Sequence, residues 1–125
     1  MPLLNKDRPR YRHLSGDYYE MFDSLRYLDE ETLIVHTVEA GFKWDKGSVL
    51  SLIPRALMPH GDEMTYPSAL HDKFYGDYSV TRATADRIFR QFLIEERLHP
   101  FKAWAAWGAV RMNLLAAYRW GKDNA

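Results

Sequence analysis

The chain has 125 residues, 46% of them apolar and 27% charged, which is a globular composition and argues against a disordered chain. Seventeen basic side chains balance seventeen acidic ones, so no overall charge draws the protein to nucleic acid or an anionic membrane. Cysteine is absent, which removes thiol catalysis, cysteine-bound metals and disulfides, and points to a reducing or intracellular setting.

The length predicts a single domain over residues 1–125. Its opening, residues 1–12, holds Lys6, Arg8, Pro9 and Arg10 and is expected to be a flexible or extended arm, with no signal peptide. From Tyr18 to Trp44 the pattern is strand-like. Leu33, Val35 and Thr37 alternate with Ile34, His36 and Val38, and Ser24 to Leu28 is the expected partner across the turn Asp29-Glu30-Glu31. Residues 45–66 carry Gly47, Pro54, Pro59 and Gly61 and read as a long ordered loop.

Three helices are expected after it. Pro67 fits the first turn of one running to about Tyr75. Thr81 suits the N-cap of a second, through about Arg97. Pro100 opens a third, running to about Trp120 and closed by Gly121. The fold class is therefore α+β, a small N-terminal antiparallel sheet followed by an ordered loop and three C-terminal helices. The longest mostly apolar stretch, Trp104 to Tyr118, is interrupted by Arg111 and Asn113 and cannot span a bilayer.

Polar residues stand where apolar ones are expected. In the second helix Ala85, Ile88, Phe89, Phe92 and Leu93 form the apolar stripe, and Asp86 falls on its flank with Arg82 one turn earlier. Two readings follow: an i,i+4 ion pair at the edge of the core, or an inward carboxylate that orients another group. In the third helix Trp104, Trp107, Gly108, Leu115 and Tyr118 share a face with Arg111 at its centre, so Arg111 should meet a carboxylate, with Asp86, Asp72 and Asp45 the candidates, or else line a cleft. His71 and Tyr75 are one helical turn apart and project from one side. Antiparallel packing of the first two helices would bring Asp86 to His71, and a carboxylate behind an imidazole fixes its tautomer and strengthens it as a base.

Five elements occur in order: Asp45…Ser48, Pro54-Arg55, His71-Asp72…Tyr75, Arg82…Ala85-Asp86…Phe89 and Val110-Arg111. Over roughly residues 30–119 this order resembles a family of small phage and bacterial proteins known as a domain of unknown function. Here Val49 to Ile53 intervene between the first two elements, which are nearly adjacent in that family. The core of the pattern also looks like phospholipase A2 of the bacterial and parvoviral kind. That likeness implies His71 as the base, Asp86 as its orienting carboxylate, Tyr75 as support for Asp86, and Asp72 as a calcium ligand, with Asp45 the nearest counterpart of that family's glycine-rich calcium loop.

Two function classes follow. One is a non-catalytic phage or prophage component of a virion, tail or assembly, built on a phospholipase A2-like helical core, with Arg111 and Arg82 in a structural polar core. The other is a calcium-assisted ester hydrolase acting through a His71–Asp86 dyad. Expected partners are other phage proteins, or self-association through the aromatic surface of four Trp and eight Tyr, with phospholipid as a further candidate. Nucleic acid is not expected, since there is no basic stripe beyond Lys6 to Arg12. The expected location is a virion or the host cytoplasm.

Overall fold

The structure is a computed structural model, and it describes residues 3–16, 18–45 and 63–112. Among these, five strands precede three helices: β1 (Tyr11–Ser15), β2 (Tyr18–Met21), β3 (Leu25–Asp29), β4 (Ile34–Val38), β5 (Lys43–Asp45), α1 (Thr65–Asp77), α2 (Arg82–Glu95) and α3 (Pro100–Arg111). The α+β layout matches expectation, but the strands form two sheets rather than one. β1-β2-β5 is a three-stranded antiparallel sheet, and β3-β4 is a separate hairpin.

The hairpin turn is built around Asp29. Its carboxylate accepts from the Glu31 backbone N–H at 3.2 Å and the Thr32 hydroxyl at 2.8 Å, and the Leu33 N–H closes on the Asp29 carbonyl at 2.7 Å. Leu33 is driven to φ 61° by that closure. Arg87 of α2 grips the same carboxylate at 3.1 and 2.8 Å. Burial alone would raise the Asp29 carboxyl; the bonds from Arg87, Thr32 and Glu31 override it and hold it at about 2.

The described residues of the N-terminal arm are pinned to the domain. Tyr11 and Arg12 belong to β1, and Leu3 bridges to Tyr27. The Leu4 N–H reaches the Arg26 carbonyl at 2.8 Å, and Tyr66 donates to the Pro9 carbonyl at 2.6 Å.

Helix boundaries shift modestly. α1 starts at Thr65, so Pro67 occupies its third position, and it ends at Asp77 where Tyr78 takes a left-handed cap at φ 54°. Thr65 and Tyr66, expected at the end of the 45–66 loop, are already helical, and residues 46–62 lie outside the described residues. Thr81 caps α2 as expected, its side chain accepting from the Thr84 N–H at 3.1 Å. The expected continuation of the third helix to Trp120 falls beyond the described residues.

α2 is the keel of the molecule. Ala85, Ile88 and Phe92 face the strands and α1, joining Tyr27, Trp44, Leu70 and Phe74 in one buried cluster. Phe89 and Leu93 turn toward α3 and join Met64, Leu98, Ala103, Ala106 and Val110 in a second. Trp44 is fixed in the first cluster by its indole N–H, which donates to Ser68 Oγ at 3.0 Å. The buried face of α3 is therefore its small residues. Trp104, expected on that face, is 50% exposed and lies under the Arg90 guanidinium at 3.9 Å. Small side chains let α3 approach α2 closely, whereas an indole would hold it off.

Candidate functional site

The first two helices are joined by the short segment Tyr78–Thr81, which reverses the chain. That reversal sets the turn of α1 holding His71 and Tyr75 against the first turns of α2. Asp86 sits between them and is fully buried, with His71 only 3% exposed. His71 Nε2 lies 2.7 Å from Asp86 Oδ1, and the Tyr75 hydroxyl donates to the same oxygen at 2.7 Å. Arg111 Nη1 reaches the other oxygen, Oδ2, at 3.1 Å. Three elements thus converge on one carboxylate.

The inward reading of Asp86 is the one found. The carboxylate accepts three donors, which offsets the desolvation of a charge placed at zero exposure. Arg82 runs alongside, its Nη2 donating to the carbonyls of Val110 at 2.9 Å and Arg111 at 2.6 Å. It therefore fastens α2 to the end of α3 and satisfies carbonyls that the helix leaves open. Arg111 pairs with Asp86 as the need for a carboxylate implied, but its side chain is 27% exposed rather than central to a buried face. Leu115 and Tyr118, which helped define that expected face, lie outside the described residues.

Because Asp86 is the acceptor, the proton of neutral His71 belongs on Nε2, which leaves a lone pair on Nδ1. Nδ1 meets no hydrogen-bonding group among the described residues. The ring is held between Tyr75, at 4.2 Å between centroids, and Phe89, at 4.6 Å. Burial, then the neighbouring Asp86 charge, pushes the Tyr75 hydroxyl up, so it stays a donor.

Asp72 points away from this triad toward the end of β5. The Asp45 N–H lies 3.4 Å from Asp72 Oδ2, so the two residues assigned to metal on sequence grounds are neighbours. Burial pushes the Asp72 carboxyl up; the Asp45 charge adds to this, while the Asp45 N–H and His71 oppose it. Among the described residues no group of three His, Cys, Asp or Glu side chains could hold a metal ion. Two carboxylates fall short of the six to eight oxygens calcium takes. No helix of the described residues is long and apolar enough to cross a membrane.

The Asp29–Arg87 pair is not legible in the sequence. Its only signal is an arginine beside the apolar stripe of the second helix, and the partner sits 58 residues away.

Fold and site together define an α+β protein in which a buried carboxylate joins a histidine and a tyrosine of one helix to an arginine of another. The family model described as "Protein of unknown function (DUF1353)" matches residues 19–110, and the chain belongs to that family. The likeness to phospholipase A2 is not carried by this match. No curated protein and no solved structure matches the chain.

Proposed function

We propose that the chain is an ester hydrolase in which His71 is the general base and Asp86 its orienting carboxylate. One observation carries this reading: His71 Nε2 and the Tyr75 hydroxyl share Asp86 Oδ1 at 2.7 Å each, which directs the basic nitrogen Nδ1 away from the carboxylate. In this mechanism Nδ1 takes a proton from water as the water oxygen attacks the ester carbonyl. The resulting imidazolium is stabilised by Asp86. It returns the proton to the departing alkoxide as the tetrahedral intermediate collapses to acid and alcohol. Tyr75 and Arg111 hold Asp86 in place and do not touch substrate. The phospholipase A2 likeness makes a phospholipid ester the first substrate to try. Asp72 and Asp45 are the carboxylates that would meet calcium, and the two do not complete a site for it.

A second reading is a phage or prophage virion, tail or assembly component, located in a virion or the host cytoplasm. It is favoured by the saturation of Asp86 with three donors and by the exposure of Phe101 at 65% and Trp104 at 50%, which other phage proteins would cover. Purified protein on mixed phospholipid vesicles and on a soluble short-chain ester separates the two. The hydrolase predicts turnover that His71→Ala abolishes while melting stays cooperative. Absence of turnover by the wild type on both substrates, together with an unshifted melting temperature in millimolar calcium, overturns it. A bound ion at a hundredfold its Kd would add about 2.7 kcal/mol.

A further inference from the structure

Among the described residues the outer edge of β4 is unpaired. Register places Arg26 opposite Thr37 and Leu28 opposite Val35. Arg26 spends both backbone groups on the N-terminal arm: its N–H donates to Asn5 Oδ1 at 2.9 Å, and its carbonyl accepts from the Leu4 N–H at 2.8 Å. In an antiparallel ladder the two backbone groups of a residue face the same side, and opposed residues face each other or away together. Thr37 therefore turns its N–H and C=O out of the hairpin, and Val35, two residues back, does the same. Neither residue makes a hydrogen bond at that edge among the described residues.

Such edges are usually guarded by charge, proline or a bulge. β1, which ends the three-stranded sheet, carries Arg12 and a register shift between His13 and Ser15. β4 carries none of these. Leu33 to Val38 reads Leu-Ile-Val-His-Thr-Val, without charge, glycine or proline, and Leu33, Ile34 and Val35 are 76, 53 and 40% exposed.

We infer that β4 is a self-association edge, pairing antiparallel with β4 of a second copy about a two-fold axis through His36. In that register Val35 of each copy faces Thr37 of the other. Each such pair exchanges two N–H···O bonds, so every open backbone group of the two residues is used. Ile34, exposed at 53%, then lies along the new seam, beside a Val38 that stays buried in its own copy. A two-fold sets each strand against its own sequence, so any charge on β4 would meet a like charge nearby. The uncharged run is the pattern that self-pairing requires. β-Branched side chains across such a pair add to the backbone bonds.

Sedimentation velocity of the whole chain over a concentration series tests this, with hydrogen exchange at the Val35 and Thr37 amides as a local readout. Thr37→Pro deletes an N–H the hairpin does not use, and proline is tolerated at such edge positions. Ile34→Lys places a charge at the pairing surface. The wild type should sediment at twice the 14.7 kDa of the chain with slowed exchange at Val35 and Thr37, and both variants should be monomers with wild-type circular dichroism. If Thr37→Pro fails to fold, Ile34→Lys alone decides. A wild type that stays monomeric up to about 100 μM overturns the proposal, because that is weaker than the micromolar range of a functional dimer. So does a dimer that the folded variants leave intact, which would place the contact on another surface.

Discussion

His71 and Asp86 are fifteen residues apart in sequence and 2.7 Å apart in space, on consecutive helices that meet face to face. Asp86 is the only partner of the His71 ring nitrogens among the described residues, whereas Asp86 itself serves three donors. The dependence is unequal, and substitutions should expose that.

Asp86→Ala strips the acceptor from His71, Tyr75 and Arg111 together. Loss of about 3–5 kcal/mol is expected, the range for removing one partner from a buried charged network. Arg111→Leu should cost less, because its guanidinium is partly solvated and Asp86 keeps two donors. Urea unfolding of the two variants measures the order; a larger loss at Arg111 would contradict it.

Tyr75→Phe removes one donor and leaves the aromatic packing on His71. About 1–2 kcal/mol should be lost, and any ester turnover should fall without disappearing, because His71 keeps its own bond to Asp86. A variant as inactive as His71→Ala would make Tyr75 a group that touches substrate.

The hairpin carboxylate gives a pH signature. Asp29 is held at about 2, below the ordinary 3.8, so its contribution is fully present above the ordinary value and is lost as pH falls toward 2. The depression corresponds to about 2 kcal/mol. Arg87→Leu should lower stability at pH 7 by that order and flatten the decline between pH 4 and 2. Chemical denaturation across that interval is the measurement; parallel curves for variant and wild type would refute it.

His36 gives a second signature at milder pH. Burial, with Lys73 and Arg87 nearby, lowers its value, while Asp29 and Asp77 oppose this; Nε2 is buried without a hydrogen-bond partner among the described residues. A depressed histidine favours the fold above its unfolded value of about 6.5 and stops doing so as pH falls below it. The melting temperature should drop between pH 7 and 5, and His36→Leu should drop less. Equal slopes would show that His36 takes up its proton equally in the folded and unfolded states, and would refute this.

Local pattern carried much of this architecture. The alternation of Leu33 to Val38 placed β4, Thr81 placed the start of α2, and the stripe from Ala85 to Leu93 placed its buried face. The His71–Asp86 contact was legible because a short connection between two amphipathic helices leaves few ways to pack them. What failed was decided by tertiary context. Trp104 looked like core by size, yet the close approach of α2 and α3 selects Ala103, Ala106 and Val110 instead. The separation of β3-β4 from the other strands was equally hidden, because alternation reports that a strand exists and not which neighbour it takes.

Among the described residues, three ordinary side chains sit at left-handed backbone angles: Leu33 at φ 61°, Tyr78 at 54° and Arg97 at 71°. Each occupies a chain reversal, one at the hairpin tip and two just past helix ends, where glycine would be free of the strain that a Cβ brings there. About 1 kcal/mol or more is therefore held back at each position. The natural chain is not at its stability ceiling, and the reserve lies in its connections and not in its core. A thermostable version could be sought by changing those corners alone, with the packing around Asp86 untouched.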